Sequence, residues 1–162
     1  MDAMPADSQL PDVLHAWFRA KDWVPRRHQF DMLAAARAGQ HALLVAPTGS
    51  GKTLSGFLPT LAELIETPTD GLHTLYISPL KALAVDIQHN LLAPIEEMKL
   101  DIRVETRTGD TPSDRKKRQR EKPPHILLTT PESLSLLLSY PDSRRIFSAL
   151  KTVVIDEVHA FA

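Results

Sequence analysis

Ala46-Pro47-Thr48-Gly49-Ser50-Gly51-Lys52-Thr53 sets glycines, a lysine and hydroxyls in a run suited to holding phosphate. Gly49 and Gly51 permit torsions and close approach that a side chain would forbid, so successive N–H groups can point at phosphate oxygens. Lys52 supplies a mobile positive charge, Thr53 a hydroxyl for Mg²⁺, and the helix that follows adds its positive N-terminal end. Thr48 and Ser50 belong to the same candidate nucleotide-binding loop. Ala46 stands where the most general pattern has glycine. Alone, Gly-Ser-Gly would be a turn that caps a helix. The order strand, loop, Gly-Lys-Thr, helix points to phosphate instead.

Near the other end, Thr152-Val153-Val154-Ile155 delivers Asp156-Glu157-Val158-His159. The carboxyl ends of strands are where ligands bind in open α/β sheets. A phosphate loop needs a partner carboxylate to hold Mg²⁺, and hydrolysis needs a group that orients and deprotonates water. Asp156 fits the first role and Glu157 the second. Two acids after a strand would by themselves be a solvated turn; the loop upstream reverses that reading.

The elements that must position these residues follow from periodicity. Apolar runs at 41–46, 74–78, 102–106, 126–130 and 152–156 suit buried parallel strands. Helical spacing spans 11–19, 30–37, 52–66, 81–98, 112–120, 131–139 and 142–150. Alternation of this kind predicts a doubly wound, mainly parallel α/β sheet. Trp17 and Phe18 read as core. The 162 residues suit one domain, residues 1–10 read as a flexible N-terminus, and 43% hydrophobic with 24% charged is ordinary globular composition. The absence of cysteine excludes disulfides, thiolate zinc sites and cysteine nucleophiles, and the seven histidines do not cluster. A net charge of -1 gives no global footprint of a nucleic-acid binder, so that case rests on motifs. The acidic start and the lack of a long apolar run predict no membrane partner and a cytoplasmic location.

Taken together, the loop and Asp-Glu-Val-His resemble motifs I and II of superfamily 2 DExH-box helicases. Pro79-Leu80-Lys81-Ala82-Leu83 resembles motif Ia, Thr108-Gly109-Asp110 the TxGx element, and Thr130-Pro131-Glu132-Ser133-Leu134 motif Ib. PLKAL, TGDT, TTPESL and DEVHAF are similar to the large helicase-related branch, including its ligase-associated DNA-repair members. The resemblance implies a RecA-like P-loop NTPase fold over 11–162, an incomplete first helicase lobe ending just after motif II. It implies ATP with Mg²⁺ as cofactors and a catalytic set of Lys52, Asp156, Glu157 and His159, the last coupling nucleotide to nucleic acid.

Motifs Ia, TxGx and Ib contact the backbone of a single strand in that family, which assigns Pro79, Lys81, Thr108, Gly109, Thr130 and Pro131 to single-stranded DNA. Each, without its neighbours in the set, would read as a plain helix cap. Pro25-Arg26-Arg27-His28-Gln29 resembles the adenine-reading segment; an amide that donates and accepts at once matches the N6 and N7 edge of adenine. Trp23 has two readings, against the base or in packing. The run 115–120 reads as a solvated helix face, with contact to a second strand as the other reading.

The resulting expectation is an ATP-dependent DNA helicase or translocase. The alternatives are an RNA-directed motor of the same superfamily and an inactive truncated nucleotide-binding module. Motif III and a second RecA-like lobe with its arginine are expected partners outside these residues. Without them the sheet would have a vacancy beside the 152–156 strand, and the chain alone would show no nucleic-acid-stimulated turnover.

Overall fold

The structure, a computed structural model, describes residues 10–47 and 51–161. Two compact units divide the chain, Met1–Pro68 and Thr69–Ala162.

The first unit is helical. Helix α1, Asp12–Ala20, buries Leu14, Trp17 and Phe18 on one stripe, as the apolar spacing requires. Trp17 meets Phe18 and Trp23 edge to face, at centroid distances of 5.2 and 5.5 Å. Trp23 is 54% exposed, so it packs against Trp17 with its outer surface open. Helix α2, Arg27–Arg37, starts where the Gln29 side chain accepts the Arg26 N–H at 2.8 Å. It ends before Gly39, whose φ of +66° is the left-handed conformation that stops helices. Helix α3, Lys52–Glu66, packs against α2, and Phe57, Leu58 and Leu61 of α3 are fully buried, as is Leu33 of α2. An Arg37 to Glu66 ion pair of 2.6 Å closes the far end.

The predicted strand at 41–46 is absent. Residues 41–47 belong to no ladder, and Leu43 and Val45 are 77% and 86% exposed. An apolar run becomes a strand only by pairing its N–H and C=O groups. Among the described residues no strand lies beside this one.

The second unit carries a four-stranded parallel sheet, ordered β2-β3-β1-β4, of β1 Thr74–Ile77, β2 Val104–Arg107, β3 Ile126–Thr129 and β4 Thr152–Ile155. Strand β2 begins two residues later than the periodicity predicts. Between β1 and β2 runs α4, Lys81–Glu97; α5, Ser113–Glu121, precedes β3; α6, Pro131–Ser139, and the short α7, Ser143–Ile146, precede β4. Right-handed crossovers put α4 on one face and the later helices on the other. Leu75 and Leu127 accordingly pack with Leu72, Leu137 and Ile146 into one core, bordered by Leu134, Tyr140 and Phe147.

The helix predicted over 142–150 shrinks to α7. The Asp142 carboxylate is taken by Arg120 at 2.9 Å and Arg145 at 3.1 Å rather than by the helix N-terminus. Beyond α7, Ser148 and Leu150 donate to carbonyls three residues back, the tighter turn. Strand β3 is buried throughout, whereas β4 lies at the sheet edge with Val153 and Ile155 about half exposed.

Candidate active site

Each strand of a parallel sheet delivers its next residue to the same edge. At the carboxyl ends of β2, β3, β1 and β4 stand, in spatial order, Thr108-Gly109-Asp110, Thr130-Pro131, Pro79-Leu80-Lys81 and Asp156-Glu157. The structure therefore gathers into one row four segments that are scattered along the sequence.

At the end of β4 the Asp156 N–H donates to the Ile77 carbonyl at 3.0 Å, extending the ladder by one residue. The Asp156 carboxylate then receives two donors, the Glu157 N–H on Oδ1 at 2.9 Å and the Tyr76 hydroxyl on Oδ2. Tyr76 is 2% exposed. Burial pushes its phenol far above the ordinary range, and the Asp156 carboxylate pushes it further, so the hydroxyl keeps its proton and is the donor. Glu157 occupies the left-handed region at φ +51°. The chain then turns into the 3₁₀ segment Val158–Phe161, and His159 Nδ1 lies 3.5 Å from a Glu157 carboxylate oxygen. His159 is largely exposed.

Each carboxylate oxygen has two lone pairs, so Asp156 retains acceptor capacity after both bonds are counted. No cluster of three or more metal-ligating side chains occurs among the described residues. Mg²⁺ fits that chemistry, since it binds through one or two carboxylates and keeps its remaining positions for water and phosphate.

At motif Ia, Leu80 precedes the first turn of α4 and Lys81 opens the helix. Lys81 is about half exposed, and its ammonium lies 3.1 Å from both Asp110 carboxylate oxygens. A Cβ at Gly109 would stand 3.4 Å from the same ammonium, an ordinary contact, so the lysine lies directly against this turn. On its other side Lys116 donates to the Gly109 carbonyl at 3.1 Å. Thr108 is buried, with its N–H on Thr111 Oγ1 at 2.9 Å and its hydroxyl accepting from the Asp110 N–H at 3.3 Å. Thr130 is buried too and caps α6, accepting from the Ser133 N–H at 3.5 Å, with Pro131 in the first turn.

In the first unit, Gly51 has φ +79° and directly precedes α3, with Lys52 at the first position and Thr53 exposed beside it. Ser55 donates to the Gly51 carbonyl at 2.9 Å. Gln29 is buried, and its amide nitrogen lies 3.3 Å from where a Gly51 Cβ would stand. The structure thus brings Gln29 beside Gly51. Thr48, Gly49 and Ser50, assigned to the phosphate loop by sequence, lie outside the described residues.

Sequence reasoning missed Tyr76, which reads as a core residue in an apolar strand. It missed as well the cluster that fixes the row from behind. Buried Arg107 donates to the Lys116 carbonyl at 2.9 Å and faces the Tyr140 ring, which Arg120 covers at 3.8 Å. Burial lowers the Arg107 pKa from its usual value. Of these, the Tyr76–Asp156 link exists only through the cross-strand register.

Comparison with known proteins places this arrangement. The profile of the DEAD/DEAH box helicase matches residues 26–162. The chain is 38% identical to the ATP-dependent helicase Lhr-Core of Methanothermobacter thermautotrophicus, over 99% of its own length and 21% of that protein's. It is 40% identical to the Lhr helicase/uracil glycosylase of Escherichia coli, over 96% of its length and 12% of that protein's. The Mycobacterium smegmatis helicase Lhr, solved bound to ssDNA and AMP-PNP, superposes with a TM-score of 0.89 at 37% identity, covering 98% of this chain and 22% of that one. The helicase MrfA bound to DNA and AMPPNP gives a TM-score of 0.85 at 32% identity, again over 22% of that chain. The chain spans at most about a fifth of the length of these proteins. Its fold is the RecA-like lobe of such helicases, and the chain belongs to the DEAD/DEAH box helicase family.

Proposed function

We propose that the chain is the ATP-binding lobe of an ATP-dependent DNA helicase or translocase of the large helicase-related type. The observation that carries this reading is the row of motif segments along one carboxyl edge of the sheet, with the acids of β4 next to motif Ia of β1. On this reading Lys52 holds phosphate, with Thr48, Gly49, Ser50 and Gly51 as its cradle and Thr53 beside it for Mg²⁺. Asp156 holds the metal and Glu157 orients and deprotonates water. His159, through Glu157, links that step to the neighbouring row. Gln29 reads adenine.

A single DNA strand would follow Lys81, Gly109 and the opening turn of α6 at Pro131. Thr108 and Thr130 support those contacts as turn and cap, because their hydroxyls are already engaged inside the fold. Backbone contact of this kind carries little sequence preference and weakens with salt. DNA is favoured because the solved Lhr and MrfA, at 37% and 32% identity, hold ssDNA and DNA. The resemblance extends the proposal to a role in DNA repair in the cytoplasm; no helix of the described residues is long and apolar enough to cross a membrane.

The test uses Lys52→Ala and Glu157→Gln in the full-length protein. The lysine variant should lose Mg-ATP binding in calorimetry. The glutamine variant should keep binding and lose DNA-stimulated turnover by about 10²-fold or more, since it keeps the shape and loses the base. Wild-type turnover in the glutamine variant would remove Glu157 from the role, and unchanged affinity in the alanine variant would remove phosphate from the loop.

A further inference from the structure

Tyr76 and Asp156 come from opposite ends of the second unit, and the sheet register makes them neighbours. Tyr76 pairs with Val154 across the parallel β1–β4 ladder. Asp156 is two residues beyond Val154, and side chains two apart share a sheet face. The phenol therefore points along the α4 face toward the carboxylate at the end of the adjoining strand, and its hydroxyl donates to Oδ2.

A buried tyrosine always needs an acceptor for its hydroxyl. Here the acceptor is the end-of-strand carboxylate itself, where a backbone carbonyl would have satisfied the phenol equally well. The two donors on Asp156 also divide its oxygens, with the Glu157 N–H on Oδ1 and Tyr76 on Oδ2. One bond to each oxygen fixes rotation of the carboxylate plane and leaves one lone pair on each oxygen facing outward. The Glu157 bond comes from the backbone and holds one side of the group; Tyr76 supplies the other constraint and comes from the rigid interior of the sheet. Partners of this kind orient a metal-binding group without touching the metal.

We propose that Tyr76 is a positioning residue that holds the Asp156 carboxylate in its metal-binding orientation. The proposal rests on Asp156 being the metal-side carboxylate of the reading above.

The probe is Mn²⁺, followed by electron paramagnetic resonance in the full-length protein saturated with a non-hydrolysable ATP analogue. Tyr76→Phe keeps the ring in the core and deletes only the donor. It should weaken Mn²⁺ binding by roughly tenfold, the scale on which outer partners act on metal sites. Steady-state turnover should need correspondingly more Mg²⁺, with the KM for ATP unchanged at saturating metal. Tyr76→Leu removes the donor with a different shape and serves if the phenylalanine chain does not fold. In an Asp156→Asn background the tyrosine substitution should have no further effect on Mn²⁺. A folded Tyr76 variant that is merely less heat-stable, with its Mn²⁺ midpoint within about twofold of wild type, overturns the proposal. Asp156→Asn separates the two levels. If it binds Mn²⁺ and turns over like wild type, the metal role of Asp156 fails; if it is impaired while the tyrosine variants are not, only the role of Tyr76 fails.

Discussion

Lys81 carries a charge that is half exposed yet already answered by Asp110 at 3.1 Å. An exposed pair of this type is worth little to stability, about 0–1 kcal/mol, so displacing Asp110 with a phosphate costs little. Gln29 is in a different position, because its side-chain carbonyl is already engaged by the Arg26 N–H. Its amide nitrogen and the second lone pair of the carbonyl remain to face a ligand.

A third residue sets how the fold responds to acid. His125 is buried, and its Nδ1 accepts the Arg103 N–H at 3.0 Å. Burial lowers its pKa, and the nearby Arg103 charge lowers it further, so the folded state requires the neutral ring. The unfolded ring takes up a proton near pH 6.5. Stability from this site is therefore complete above that pH and is lost as pH falls below it toward the depressed folded value. Urea unfolding across pH 7.5 to 5.5 should show a falling midpoint, and His125→Asn, which keeps an acceptor but does not titrate, should flatten that fall.

Among the elements, α6 shows a cap and a first turn built from adjacent residues. Thr130 caps it and Pro131 fills the first turn, where a missing N–H costs nothing. Thr130→Ala should cost about 1 kcal/mol in urea unfolding, and Thr130→Ser should cost much less. A null effect of alanine would show that the cap contributes nothing. Helices with such punctuation were legible in the sequence. Lys52–Glu66 and Pro131–Ser139 fall on the predicted bounds because Gly51 and Thr130-Pro131 mark their starts. The 41–46 run was misread since apolar composition says nothing of whether a neighbour exists to pair with. Helix α7 was overextended because the turns after Phe147 close on carbonyls three residues back, which apolar spacing does not distinguish from a continuing α-helix. The acids of β4 were visible as types in order. Their link to Tyr76, 80 residues away, was not, because it exists only through the ladder.

Across the second unit, the strand order sorts pairings by the length of chain they enclose. The β2–β3 register joins Val104 to Ile126 around α5 alone, whereas β1–β4 joins Thr74 to Thr152 around everything between. Closing a longer loop costs more entropy before any contact repays it. The β2–β3 pair, with Ile126 donating to the Arg103 carbonyl at 3.1 Å, is therefore the early pairing of refolding. Strand β4 docks last, because it closes the longest loop and gains its ladder from one side only. Pulse-labelled hydrogen exchange should show protection at the Ile126 amide before the Thr152 and Asp156 amides, and simultaneous protection would contradict this order. The time at which the Tyr76–Asp156 contact forms is then set by the last strand. A population stalled one step earlier would contain the β2–β3 pairing in native register and lack an assembled carboxylate site.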